Sequence, residues 1–203
     1  MRESLFKIPD ILKPKPDNSL SFSAMSKNDN FFSSANSKAE LIKAIGKIEQ
    51  DKSVFTFANG KWSSHELLAY ILEQTGPANV WITSWSITEE PLRLLNKLKV
   101  CGYINELHCL FGDRVPVMSP VAWQYANYNI PGIKLSKCHA KVQVIRNESW
   151  DIVIMGSANF TMNPRWEAGV VCCCKEVAIE YAKAIEQAMI NGYTYGTERR
   201  KIK

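Results

Sequence analysis

From residue 53 onward the chain alternates short apolar runs with segments of helical period. "SVFTFAN" (53–59) reads as a strand, and "SSHELLAYILEQTG" (63–76) as a helix capped by Ser63 or Ser64, with Glu66 in its first turn and Gly76 at its end. "NVWITSWSI" (79–87) predicts a second strand, "EEPLRLLNKLKVCG" (89–102) a second helix that tolerates Pro91 in its first turn, and "INELHCLFG" (104–112) a third strand. This βαβαβ order predicts an α/β domain with a mixed, largely parallel β-sheet flanked by helices on both faces. Residues 113–132, with their aromatics and prolines, read as an irregular connection around a short helix near 120–128. Three more strands are expected at 133–146, 150–159 and 166–174, with a turn at 147–149. A closing amphipathic helix over 175–191 presents Val177, Ile179, Ala182, Ile185 and Met189, and stops at Gly192.

Upstream, Leu41, Ile42, Ile45 and Ile48 repeat at helical spacing after Ser37, which predicts a helix over 38–50. Residues 1–36 combine prolines with many Ser, Asn and Lys and show little period, so they read as a flexible, extended or disordered leader to a domain at 37–203. A chain of 203 residues is long enough for one well-cored domain and too short for two ordinary ones. No apolar run approaches the roughly 20 residues of a membrane-spanning helix, and the N-terminus lacks the zones of a secretory signal. A soluble protein in the cytoplasm is the expectation. There the six cysteines stay reduced; none forms a C-x-x-C pair, and Cys172, Cys173 and Cys174 fall on alternating faces of one strand, where they cannot share a metal.

The net charge of +5 favours an anionic partner without the density of a DNA-coating protein. The terminal "ERRKIK" reads as a solvated basic tail. Chemistry concentrates in "CHAKVQVIRNESWDIVIMGSANFT" (138–161). Strand alternation turns His139 and Lys141 the same way, with Cys138, Ala140, Val142 and Val144 as the core face behind them. A cation and an imidazole side by side in such a strand call for an anion, and a phosphate suits them. The following run ends in Gly156, Ser157, Ala158 and Asn159; small residues admit a close ligand, and Ser157 and Asn159 can hydrogen-bond phosphoryl oxygens. Glu167, at the start of the next strand, is typed to accept the second imidazole N–H of His139 and fix its tautomer. Trp85 and Trp123 fall near a strand end and in a loop, where they could line the mouth of a pocket and stack on bases; Trp81, Trp150 and Trp166 read as core. His65 and Ser86 take no role.

"HAKV", "GSANFT" and the trailing Glu167 together resemble the phospholipase D superfamily, with its His-x-Lys followed by Gly-Ser/Gly-x-Asn. The resemblance covers roughly residues 53–191 and includes the βαβαβ order. One position departs: the family's aspartate, seven residues after the histidine, is Arg146 here, with Glu148 and Asp151 the nearest acids. Tyrosyl-DNA phosphodiesterases of the same superfamily also lack that aspartate. The resemblance implies a metal-independent phosphodiesterase with no cofactor, in which one histidine becomes a phosphohistidine and a second serves as acid and base. This chain carries one His-x-Lys, since His65 and His108 are each followed two positions later by leucine, so two copies must meet as a homodimer with His139, Lys141 and Asn159 from each. The expected function is a nuclease cleaving nucleic acid, DNA before RNA, without stable membrane association. The alternatives are a phospholipase or phosphatidyltransferase of the same superfamily, and a catalytically weak nucleic-acid-binding module.

Overall fold

The computed structural model describes residues 22–25, 38–162 and 165–195. Eight strands form one sheet: β1 (Phe22–Met25), β2 (Ser53–Asn59), β3 (Ala78–Ser84), β4 (Ile104–Gly112), β5 (Lys134–Ser136), β6 (Val142–Arg146), β7 (Asp151–Gly156) and β8 (Trp166–Cys173). Their spatial order is β1-β2-β8-β7-β6-β3-β4-β5. The helices are α1 (Lys38–Ile45), α2 (Ser64–Thr75), α3 (Glu89–Val100), α4 (Val115–Met118), α5 (Pro120–Asn129) and α6 (Lys175–Ile190). Phe22–Met25 lies within the segment read as a leader and pairs antiparallel with β2; the rest of that leader, Ser37 and the basic tail lie outside the described residues.

The sheet is mixed, as expected, but its balance is the reverse of the expected one. Only β3-β4 and β4-β5 pair in parallel, and the other five pairings are antiparallel. The cause is the meander β6-β7-β8, whose short connections force antiparallel neighbours and which inserts as a block between β2 and β3. Strands β2, β3 and β4 still run in one direction, as βαβ crossovers require, so the repeating order was informative about direction throughout and about adjacency only for β3 and β4.

Local chemistry sets the helices. Ser63 and Glu66 form a reciprocal capping box at the start of α2, and Gly76, at φ +78°, closes it. The first helix stops at Ile45 instead of running to 50, because Gly46 takes φ +68° and its N–H closes back on the Ile42 carbonyl at 2.7 Å. The stretch expected as one strand at 133–146 is two: β5 at the sheet edge and β6 in its middle. Residues 137–141 carry the chain between those places, so His139 and Lys141 lie just outside the ladder instead of within it.

Two cores sandwich the sheet. On one face Leu68, Ile71, Leu92, Leu95 and Phe111 belong to the larger core, with α1, α2, α3 and α5 contributing. On the other, Ala178, Ala182 and Ile185 of α6 bury Trp81, Val144 and Val153. Burying a large aliphatic side chain contributes about 1.5–3 kcal/mol, so both faces are strongly favoured to stay covered. Strand β6 is therefore buried on both sides: Val142 and Val144 face α6, while Ile145 joins the larger core.

Candidate active site

Strand direction brings the C-terminal ends of β2, β3, β4 and β7 and the N-terminal ends of β6 and β8 to one rim of the sheet. Ligands of open α/β sheets gather at such carboxyl ends. His139 is exposed there and Lys141 half-buried. Lys141 Nζ donates to the His139 carbonyl at 2.7 Å and lies 3.2 and 3.3 Å from the two ring nitrogens. Burial lowers the Lys141 pKa from the ordinary lysine value, opposed by the nearby Cys138 and Glu167, both of which raise it.

The Gly156 N–H donates to the Lys141 carbonyl at 3.2 Å, tying the end of β7 to the start of β6. Gly156 itself answers to packing: a Cβ there would sit 2.9 Å from the Gly169 Cα, so the residue is small to admit β8 and not only to admit a ligand. Asn159 follows two positions after the exposed Ser157. Its Oδ1 lies 3.4 Å from the hydroxyl of Ser84, a serine only 1 % exposed at the end of β3. That hydroxyl also accepts from the Phe160 N–H at 2.9 Å and donates to the Ser86 carbonyl at 2.6 Å. A parallel bridge between Ile87 and Phe160 completes the seam between the loops after β3 and β7. The hydroxyl's one hydrogen goes to Ser86, so the Asn159 amide lies against Ser84 as a packing contact at 3.4 Å.

Glu167 sits opposite Ala58 in the register and accepts a hydrogen bond from Ser157 Oγ, which in turn accepts from the Ala168 N–H at 3.0 Å. The expected Glu167–His139 bond is not made within one chain; the carboxylate accepts from Ser157 instead. Ser157 consequently orients Glu167 rather than standing free as a phosphate donor.

Trp85 does reach the site: its ring centroid lies 5.5 Å from that of His139 at 53°, and the indole is 40 % exposed. Gly112 makes this possible, since an ideal Cβ there would meet the Trp85 carbonyl at 2.6 Å. Trp123 does not: it lies on α5, the short helix expected near 120–128, whose inner face buries it in the larger core edge-on to Tyr195 at 6.2 Å instead of leaving it in a loop. Trp166, read as core, is exposed and stacked on Phe57 at 4.9 Å. Ser84 was not legible from sequence, because only the pairing of β3 with the loop after β7 gives it partners.

Arg146 stands five residues beyond Lys141, about 16 Å along the strand. It pairs with Asp151 across the β6-β7 hairpin, Nε to Oδ1 at 2.5 Å. Arg146 therefore lies at the opposite end of β6 from His139. Among the described residues, no three His, Cys, Asp or Glu side chains gather as a metal site, and no helix is long and apolar enough to cross a membrane.

No family model matches the sequence, and no curated protein matches it. Among solved structures, the chain is similar to the phospholipase D family member Nuc from Salmonella typhimurium, at 15% identity and TM-score 0.48, over 87% of this chain and 98% of that one. It is also similar to NucT from Helicobacter pylori, at 16% identity and TM-score 0.47, over 63% of this chain and 90% of that one.

Proposed function

We propose that the chain is a metal-independent phosphodiesterase of the phospholipase D type that cleaves nucleic acid, DNA before RNA, in a site shared by two copies. The observation that carries this reading is at the rim: His139 and Lys141 are in contact, and Asn159, on the loop after β7, lies against Ser84 at the end of β3. An imidazole nitrogen of His139 attacks phosphorus, and a P–N bond forms as the bond to the leaving oxygen breaks. The partner's His139 gives that oxygen its proton. It then takes a proton from the water that attacks phosphorus and expels the first imidazole. Lys141 and Asn159 meet the charge on the non-bridging oxygens, each worth about 3 kcal/mol when well placed. Arg146 lies away from these groups, so its presence leaves the chemistry of the rim intact. The preference for nucleic acid rests on the net charge of +5 and on the exposed Trp85 beside His139, which offers a base a face to stack on.

The test is digestion of single- and double-stranded DNA in excess chelator by the natural chain and by His139→Ala. The substitution is expected to reduce cleavage about a thousandfold or more, with a phosphoprotein trapped by acid quench only in the natural chain. Equal cleavage by both proteins, or none by either, defeats the reading; release of a lipid headgroup from vesicles without DNA cleavage would move it to the phospholipases.

A further inference from the structure

One cross-strand row facing the larger core runs Val54, Val171, Ile154, Gln143, Ile82. Four of these are branched aliphatics, and the remaining one is an amide only 3 % exposed. Burying an amide there costs free energy unless its donors and its acceptor are all met. Its donor end is met: Nε2 donates to the Ser64 carbonyl at 3.1 Å and lies against Ser64 Oγ. A carbonyl can only accept, so this bond decides which end of the amide is nitrogen and which is oxygen. The acceptor end is not met, because no donor among the described residues reaches Gln143 Oε1. Gln143 lines a cavity of about 50 Å³ whose walls also include Lys141, Glu167 and Thr56. That is room for a water molecule, with the two to four polar partners a buried water requires.

We propose that this cavity is a hydration site whose bound water links Gln143 Oε1 to the Lys141 ammonium, making Gln143 a positioning residue for Lys141. The water donates one hydrogen to Oε1, accepts from Nζ, and gives its second hydrogen to the Glu167 carboxylate or to Thr56 Oγ1. Thr56 Oγ1 donates to the Gly169 carbonyl at 3.3 Å and keeps lone pairs for this purpose. The titratable groups around Lys141 are His139 and Cys138 from its own segment and Glu167 from β8. Desolvation is the largest influence lowering the Lys141 pKa, and a water lone pair is what a partly desolvated ammonium needs. The hydration site stands on geometry alone; its catalytic consequence rests on the phosphodiesterase reading.

Gln143→Leu removes the acceptor at similar volume. Side-chain NMR, assigned with Lys141→Arg, follows the Lys141 titration in both proteins. Its midpoint is expected to fall by about half a unit or more in Gln143→Leu, because the ammonium loses its water. On bis(p-nitrophenyl) phosphate, kcat is expected to drop about tenfold, with KM changed less, as for a misplaced catalytic group. A folded Gln143→Leu protein with an unmoved midpoint overturns the proposal; a moved midpoint with unchanged kcat overturns the positioning role. Should that variant not fold, a high-resolution crystal structure of the natural chain decides, with a water in reach of both Oε1 and Nζ upholding the proposal and a dry cavity overturning it. If the natural chain cleaves no diester, the phosphodiesterase reading fails while the titration still decides the link between Gln143 and Lys141.

Discussion

An ammonium can only donate, so whichever ring nitrogen of His139 meets Lys141 Nζ must present a lone pair. That is the electron pair a phosphorus attack needs, and the ammonium beside the ring favours keeping it unprotonated. Phosphoryl oxygens are the stronger acceptors for the same ammonium. The Ser84 hydroxyl is a weak point. Ser84→Ala removes the hydroxyl that accepts from the buried Phe160 N–H at 2.9 Å and that lies against the Asn159 amide. A loss of about 1–3 kcal/mol in urea denaturation is expected from the orphaned N–H. A stability unchanged within error would mean that the two loops hold together without that hydroxyl. His139, Lys141 and Asn159 were legible because their types and spacing carry chemistry by themselves. Ser84 and Gln143 were not: a serine at a strand end carries no signal until its cross-loop partner is known, and Gln143 in "VQVIR" has only the period of a polar alternate on a strand. Only burial on both faces of β6 makes that amide unusual.

Among the elements, α2 does more than cover the sheet, because Ser64 in its first turn meets Gln143 of β6 and the neighbouring His65 meets Phe160. His65 is 4 % exposed, touches Ser63 Oγ through Nε2 at 3.2 Å, and meets Phe160 edge-on at 5.9 Å. Desolvation lowers its pKa from 6.5 to about 4, with Glu66 pulling weakly the other way. The folded state thus resists a proton that the unfolded chain accepts. This histidine costs the fold nothing above pH 6.5, and stability is lost as the pH falls from there toward about 4. Comparing urea midpoints at about pH 7 and about pH 4.5, His65→Leu should show a smaller drop than the natural chain. An equal drop in both proteins would assign the acid sensitivity to other groups. The boundaries of α2 were legible because its capping box and terminal glycine are local signals. The break between β5 and β6 was not, since "IKLSKCHAKVQVIR" keeps a strand-like pattern across the very residues that leave one part of the sheet for another. Likewise the parallel character expected of a βαβαβ order was diluted by a meander whose insertion point no local pattern records.

At the scale of the whole molecule, the chemistry proposed for one chain is incomplete, because a phosphohistidine route needs an imidazole on each side of phosphorus. Neither His65 nor His108 can serve: the first is buried in the larger core's edge beside Phe160, and the second stacks on Trp81 at 5.1 Å beside the core under α6. A second copy, related by a two-fold axis through the rim, supplies the missing ring at no cost in new sequence. Light scattering should then return twice the 23.0 kDa chain mass, and that alone would not prove a shared site. Mixing does. If natural chains exchange freely with an equal amount of His139→Ala chains, about a quarter of the dimers pair two natural chains, and activity per total protein should fall to about a quarter. Sites complete within single chains would instead retain about half, since each natural chain works regardless of its neighbour. The quarter also separates a shared site from a dimer that merely stabilises its subunits, because in such a dimer each natural chain would stay active beside either partner. A measured value near half would leave the rim of each chain to find its second proton donor elsewhere, and the two-histidine mechanism would have to be abandoned.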